Sequence, residues 1–215
     1  RSTSGFPVNN GFQKTPGGSL DGFYTKISSS GASILYSSYM GRSGDDSFTA
    51  ITVNSAGAPV VTGYTTSSTW QTYPTRFNPF YPPPPFQTTF GGGRTDAVVV
   101  SFSPSGSSLF FSTYIGGTGD DEGVGIHSDP QGRLVVSITS TSSDLRIEGG
   151  QIQNRLGGND IGIFTISEDG RSIISSTYFG GSDDDDPVCV TSDAGGTVIV
   201  GGSTKSMDFP LRGAG

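Results

Sequence analysis

The chain carries a single cysteine, a single histidine, a single tryptophan and two methionines in 215 residues. One thiol excludes an intrachain disulfide. Cys189 and His127 alone also supply no partner set for a zinc site or a nucleophilic triad. Charge is scarce at 14% of residues and leans acidic, with 19 Asp and Glu against 12 Lys and Arg. That leaves no basic stripe for a nucleic-acid backbone. No apolar run approaches the roughly 20 residues of a membrane-spanning helix. Strong helix formers are few, whereas β-branched and aromatic residues stand between Gly-rich turns. With 14 Phe and 8 Tyr the chain has apolar surface enough to argue against disorder. It opens on Arg1 without a charged-then-apolar leader, which reads as a processed mature chain or a piece of a longer one.

What the sequence has in place of these is repetition. Three segments align without gaps: residues 20–65, 95–140 and 159–204. Asp21, Asp96 and Asp160 open the units, and Gly31, Gly106 and Gly170 sit in a first turn. Tyr39, Tyr114 and Tyr178 end a second apolar run, and Gly57, Gly132 and Gly196 sit in a last turn. Each unit reads as four short strands. In the second these are 97–102, 109–115, 123–128 and 134–139, separated by Pro-Ser-Gly-Ser, Gly-Gly-Thr-Gly-Asp-Asp and Asp-Pro-Gln-Gly turns. Four antiparallel strands at a period of ~46 residues predict an all-β protein made of β-propeller-type blades. A β-sandwich or β-solenoid is the alternative.

The recurring pattern, an opening Asp, a Ser-x-Gly turn, (Ser/Thr)-(Ser/Thr)-Tyr-x-Gly, Gly-Asp-Asp and a closing Val-x-Gly-x-Thr, resembles the SBBP repeat. This is the "seven-bladed β-propeller" repeat of bacterial and archaeal surface and secreted proteins. The tail "GGSTKSMDFP", 201–210, matches that family's inter-repeat segment. The resemblance spans residues 20–210. It implies a propeller-like fold and an extracellular or cell-surface location, and it implies no single activity and no catalytic residues.

The segments after the Gly-Asp-Asp loops, "FTAITV", "GVGIHS" and "PVCVTS", are small and apolar, as innermost blade strands are. One blade then runs from 48–64 to 94–115 and a second from 123–139 to 161–179. The outer pair 23–40 and the inner pair 188–202 are left as half-blades, making three blade equivalents phased halfway. Three are fewer than the four to eight that close a ring. The chain is then a fragment of a longer repeat protein, or one of two copies completing a six-bladed ring. A third arrangement is head-to-tail completion into a filament.

Asp45-Asp46, Asp120-Asp121 and Asp184-Asp185 occupy equivalent loops. A turn role, with the carboxylate accepting backbone N–H groups, is expected for Asp45, Asp46, Asp120 and Asp121. The run Asp183, Asp184, Asp185, Asp186 is a candidate calcium site, since packed like charges favour a cation. Residues 66–93 form a Pro- and aromatic-rich insert. Its Trp70, Tyr73, Phe77, Phe80, Tyr81 and Phe86 either cover the blade's own outer edge or form a contact surface for another subunit or a glycan. Cys189 is expected to be packed on an inner strand, and His127 to be a tolerated polar variant. The serine and threonine runs are candidate O-glycan carriers, and the sequence holds no Asn-x-Ser/Thr sequon. These readings give a non-enzymatic extracellular structural repeat protein. It would interact with copies of itself or with other surface proteins. A carbohydrate-binding or adhesive module is the alternative.

Overall fold

In each repeat a run of alternating apolar and hydroxyl residues folds against the next across a Gly-containing turn, giving antiparallel pairs. The computed structural model describes residues 5–73, 83–150, 152 and 157–211. The strands are β1 (Gly22–Ile27), β2 (Ile34–Met40), β3 (Asp46–Val53), β4 (Pro59–Thr65), β5 (Asp96–Phe102) and β6 (Leu109–Ile115). They continue as β7 (Asp121–Ser128), β8 (Leu134–Ser140), β9 (Asp160–Ile166), β10 (Ile173–Phe179), β11 (Asp185–Ser192) and β12 (Val198–Thr204).

These strands form two four-stranded sheets, β3-β4-β5-β6 and β7-β8-β9-β10, and two pairs, β1-β2 and β11-β12. Both complete blades and both half-blades therefore fall where the repeat phase predicts. One boundary differs. The inner strands begin at Asp46, Asp121 and Asp185 rather than after the acidic loop. The cause is that these residues pair with Thr65, Ser140 and Thr204 in the ladder.

The turns are fixed by side chains. Asp129 Oδ1 accepts the N–H groups of Gln131 and Arg133, and Gly132 follows at φ 82°, a region that penalises any Cβ. In the sister turns Asn54 Oδ1 accepts the N–H groups of Ala56 and Ala58, and Asp193 Oδ1 accepts that of Thr197. Each inner strand carries a β-bulge, at Phe48/Ala50, Gly123/Gly125 and Pro187/Cys189.

The core lies between blades. Tyr24, Tyr36 and Met40 of the first pair pack on Val61, Val98, Val100, Phe102 and Tyr114 of the first blade. The opposite face of that blade, with Ala97, Val99, Phe111 and Ile115, packs on Leu134, Val136, Ile138, Phe164 and Ile166 of the second. Inner strand β7 lies against β3, β4 and β5, and β11 lies against β7, β8 and β9. Among the described residues no helix is long and apolar enough to cross a membrane.

Candidate functional site

Six aspartates recur as three pairs, one opening each outer pair of strands and one opening each inner strand. They are Asp21 with Asp46, Asp96 with Asp121, and Asp160 with Asp185. All but Asp21 are fully buried. Asp121 Oδ2 accepts the Gly117 N–H at 2.8 Å and the Ser142 hydroxyl at 2.7 Å, and its Oδ1 accepts the Ser140 hydroxyl at 2.5 Å. Asp46 accepts the Arg42 N–H and the hydroxyls of Thr65 and Ser67. Asp185 accepts the Gly181 N–H and the Ser206 hydroxyl. Each of these carboxylates thus ties the loop between two blades to the tail that leaves an inner pair.

The opening aspartates cap a second Gly-rich loop: Asp21 accepts from Gly17 and Gly18, Asp96 from Gly91, and Asp160 from Gly157. A Cβ on Gly41, Gly116 or Gly180 would run into these carboxylates, which is why each unit reads Tyr-x-Gly at that point. Burial pushes Asp96 up to about 7; the Gly91 N–H opposes this and nearby Asp121 adds to it. Burial raises Asp46 and Asp121 as well.

The turn role expected for the acidic pairs therefore falls mainly on the second member of each. Asp120 is partly exposed, accepting the Arg94 N–H and facing its guanidinium at 3.4 Å. Asp45 is exposed, and its N–H donates to Thr66. The role of Asp21, Asp96 and Asp160 was not read from the sequence, although their threefold recurrence was the available signal.

The four-aspartate loop does not converge on one point. Asp183 is exposed and accepts the Asp184 N–H. Asp184 accepts Lys205 Nζ at 2.8 Å, and this bond holds its carboxyl below the usual range. Asp185 is buried in the junction just described, and Asp186 faces the Thr139 hydroxyl at 3.4 Å. Among the described residues no three acidic, His or Cys side chains are placed to hold a metal ion.

The described parts of the insert, 66–73 and 83–93, act as a strap over its own blade. Trp70 is only 5% exposed, with its indole N–H on Ser112 Oγ and its backbone N–H on the Tyr114 hydroxyl. Tyr73 bridges Ser112 in the manner of a short fifth strand, and Phe86 packs on the interblade core. Phe77, Phe80 and Tyr81 lie outside the described residues. The same strap recurs elsewhere. Leu145 donates to the Tyr178 hydroxyl and Phe6 to that of Tyr39.

What distinguishes the half-blades is exposure. Strands β4, β5, β8 and β9 are buried almost throughout, whereas their counterpart β12 is largely exposed and β1 is exposed at half of its residues. Phe23 and Ile27 on β1 are 58% and 57% exposed, while the residues aligned with Ile27, Phe102 and Ile166, are sealed. In the first blade β4 lies between β5 and β7. The matching space between β1 and β3 is an open cleft lined by Phe23, Ile27, Phe48, Ile51 and Val61. At the other end Ile163, Thr165, Thr177 and Val198 line a second cleft. Cys189, expected to be packed, is exposed. Its counterpart Gly125 is covered by Val190 of the next inner strand, and no described strand covers β11 in that way.

A scan against protein-family models returns no match, and a search of curated proteins returns none either.

Proposed function

We propose that the chain is a structural repeat protein that assembles with copies of itself. In this reading β12 of one copy pairs with β1 of the next, and the two half-blades become one four-stranded blade. The observation that carries this is the contrast between the buried β4, β5, β8 and β9 and the exposed β12 and β1. Long exposed strands with apolar side chains are templates for pairing, and no proline or bulge interrupts β12, while β1 carries one charged residue, Lys26. The edge offered and the edge required differ, so the interface is heterologous and each copy both gives and receives. We place the assembly outside the cell on the strength of the SBBP resemblance.

In this arrangement Ile27 becomes buried at the new interface. Light scattering on the purified chain should give a mass of at least twice 22.2 kDa. Ile27→Asp should return it to a folded single chain with unchanged circular dichroism, because a carboxylate tolerated at an exposed site cannot be buried unpaired. A wild-type mass of 22.2 kDa would overturn the proposal. A second readout follows from Gly125 lying against Val190. By the same placement Cys189 meets Ile51 of the next copy. Alkylation of Cys189 should then be at least about tenfold slower in the assembled protein than in Ile27→Asp.

A further inference from the structure

One row of side chains crosses each blade at the level of the repeated tyrosine. In the first blade the ladder aligns Phe48, Gly63, Val98 and Tyr114 on β3 to β6. In the second it aligns Gly123, Ile138, Gly162 and Tyr178 on β7 to β10. The sizes run large, small, large in one and small, large, small in the other, always ending on Tyr. Neighbours one strand apart share the volume between blades, and across the first three strands of each row glycine alternates with a bulky residue. The demand is visible at Gly162, where a Cβ would run into the Ile138 side chain beside it.

The half-blades hold the two ends of a third such row. Pro187 pairs with Gly202 across β11 and β12, and Phe23 pairs with Tyr39 across β1 and β2. We infer that β12 of one copy pairs antiparallel with β1 of the next with Gly202 opposite Phe23, which rests on the blade-completion reading above. The row then reads Pro187, Gly202, Phe23, Tyr39, the large-small-large pattern of the first blade. Every other pair follows by alternation: Val198 opposite Ile27, Val200 opposite Thr25 and Thr204 opposite Asp21. The same offsets are seen as Leu134 with Ile166, Val136 with Phe164 and Ser140 with Asp160. A slip of one residue would turn the sets of both strands to the wrong faces. The partner is thus a second copy of this chain, recognised by a glycine notch that receives an exposed phenylalanine.

The test transplants the row of the second blade. One variant carries Pro187→Gly with Gly202→Ile, and the other carries Phe23→Gly. The first has two bulky residues in the notch, and the second leaves it empty. Each alone should assemble at least about tenfold more weakly than wild type. Mixed one to one, they should regain wild-type assembly, because isoleucine then meets glycine at one interface and the native glycine meets Phe23 at the other. Circular dichroism on each variant checks that the chain is folded: Gly202 and Phe23 are solvent-exposed, whereas Pro187 is buried at the start of β11. Assembly of the first variant at wild-type strength, or no rescue on mixing, would overturn the register while leaving self-assembly standing. A monomeric wild type would overturn both.

Discussion

Asp121→Ala is expected to cost about 3 kcal/mol, roughly 6–12 °C in melting temperature for a chain of this length. The substitution strands the buried Gly117 N–H and removes the acceptor shared by Ser140 and Ser142. The two hydroxyls can turn to other acceptors, but a backbone N–H cannot, so most of the cost falls there. Part of the loss is offset, because Asp121 is itself desolvated and its carboxyl raised. Asp121→Asn retains an acceptor and should cost less. Asp120→Ala next door should cost under about 1 kcal/mol, because the guanidinium it faces is 82% exposed and water screens the pair. Thermal melts of the three variants decide the matter. Equal losses at Asp120 and Asp121 would mean that the acidic pair is an ordinary turn and not a buried junction.

The second large effect is on pH. Asp96 titrates near 7 in the folded chain against 3.8 for an unhindered carboxyl, so the folded state holds a proton that the unfolded state has released. Its favourable contribution is complete below about pH 4, declines as pH rises, and is gone above about 7, a change of up to about 4 kcal/mol. Asp46 and Asp121 are also raised and act with the same sign. The lowered surface carboxyls Asp184, Asp193 and Asp208 act oppositely and lose their contribution only as pH falls through their folded values, below 3.8. The melting temperature should therefore be higher at pH 5 than at pH 8. Asp96→Asn, whose amide oxygen still accepts from Gly91, should flatten that slope and raise the melting temperature at pH 8. A wild-type profile that rises from pH 5 to 8 would contradict the assignment.

These two effects arise in residues that the sequence marks and the fold explains. Threefold recurrence of Asp, Gly and Tyr was legible because each repeat solves the same local problem, closing a turn or crossing between blades. The strand limits followed from turn chemistry to within two residues in the second unit. The exception was the start of the inner strands. An aspartate reads as a turn former by propensity, and only its ladder partner, Ser140 or Thr65, makes it a strand residue. Trp70 shows the same limit. An aromatic insert fits a binding face and a buried strap equally well until Ser112 and Tyr114 are seen to hold it.

The sequence alone determined the all-β class, the four-strand period, the halfway phase and the two half-blades, because periodic patterning and turn residues act within about 46 residues. Only the tertiary structure decided which aspartate of each pair carries the junction and that Cys189 lies open. It likewise alternated glycine with bulky residues across the first three strands of each blade. Those depend on contacts between strands far apart in the chain, where volume and hydrogen bonding are shared among residues that no local pattern connects.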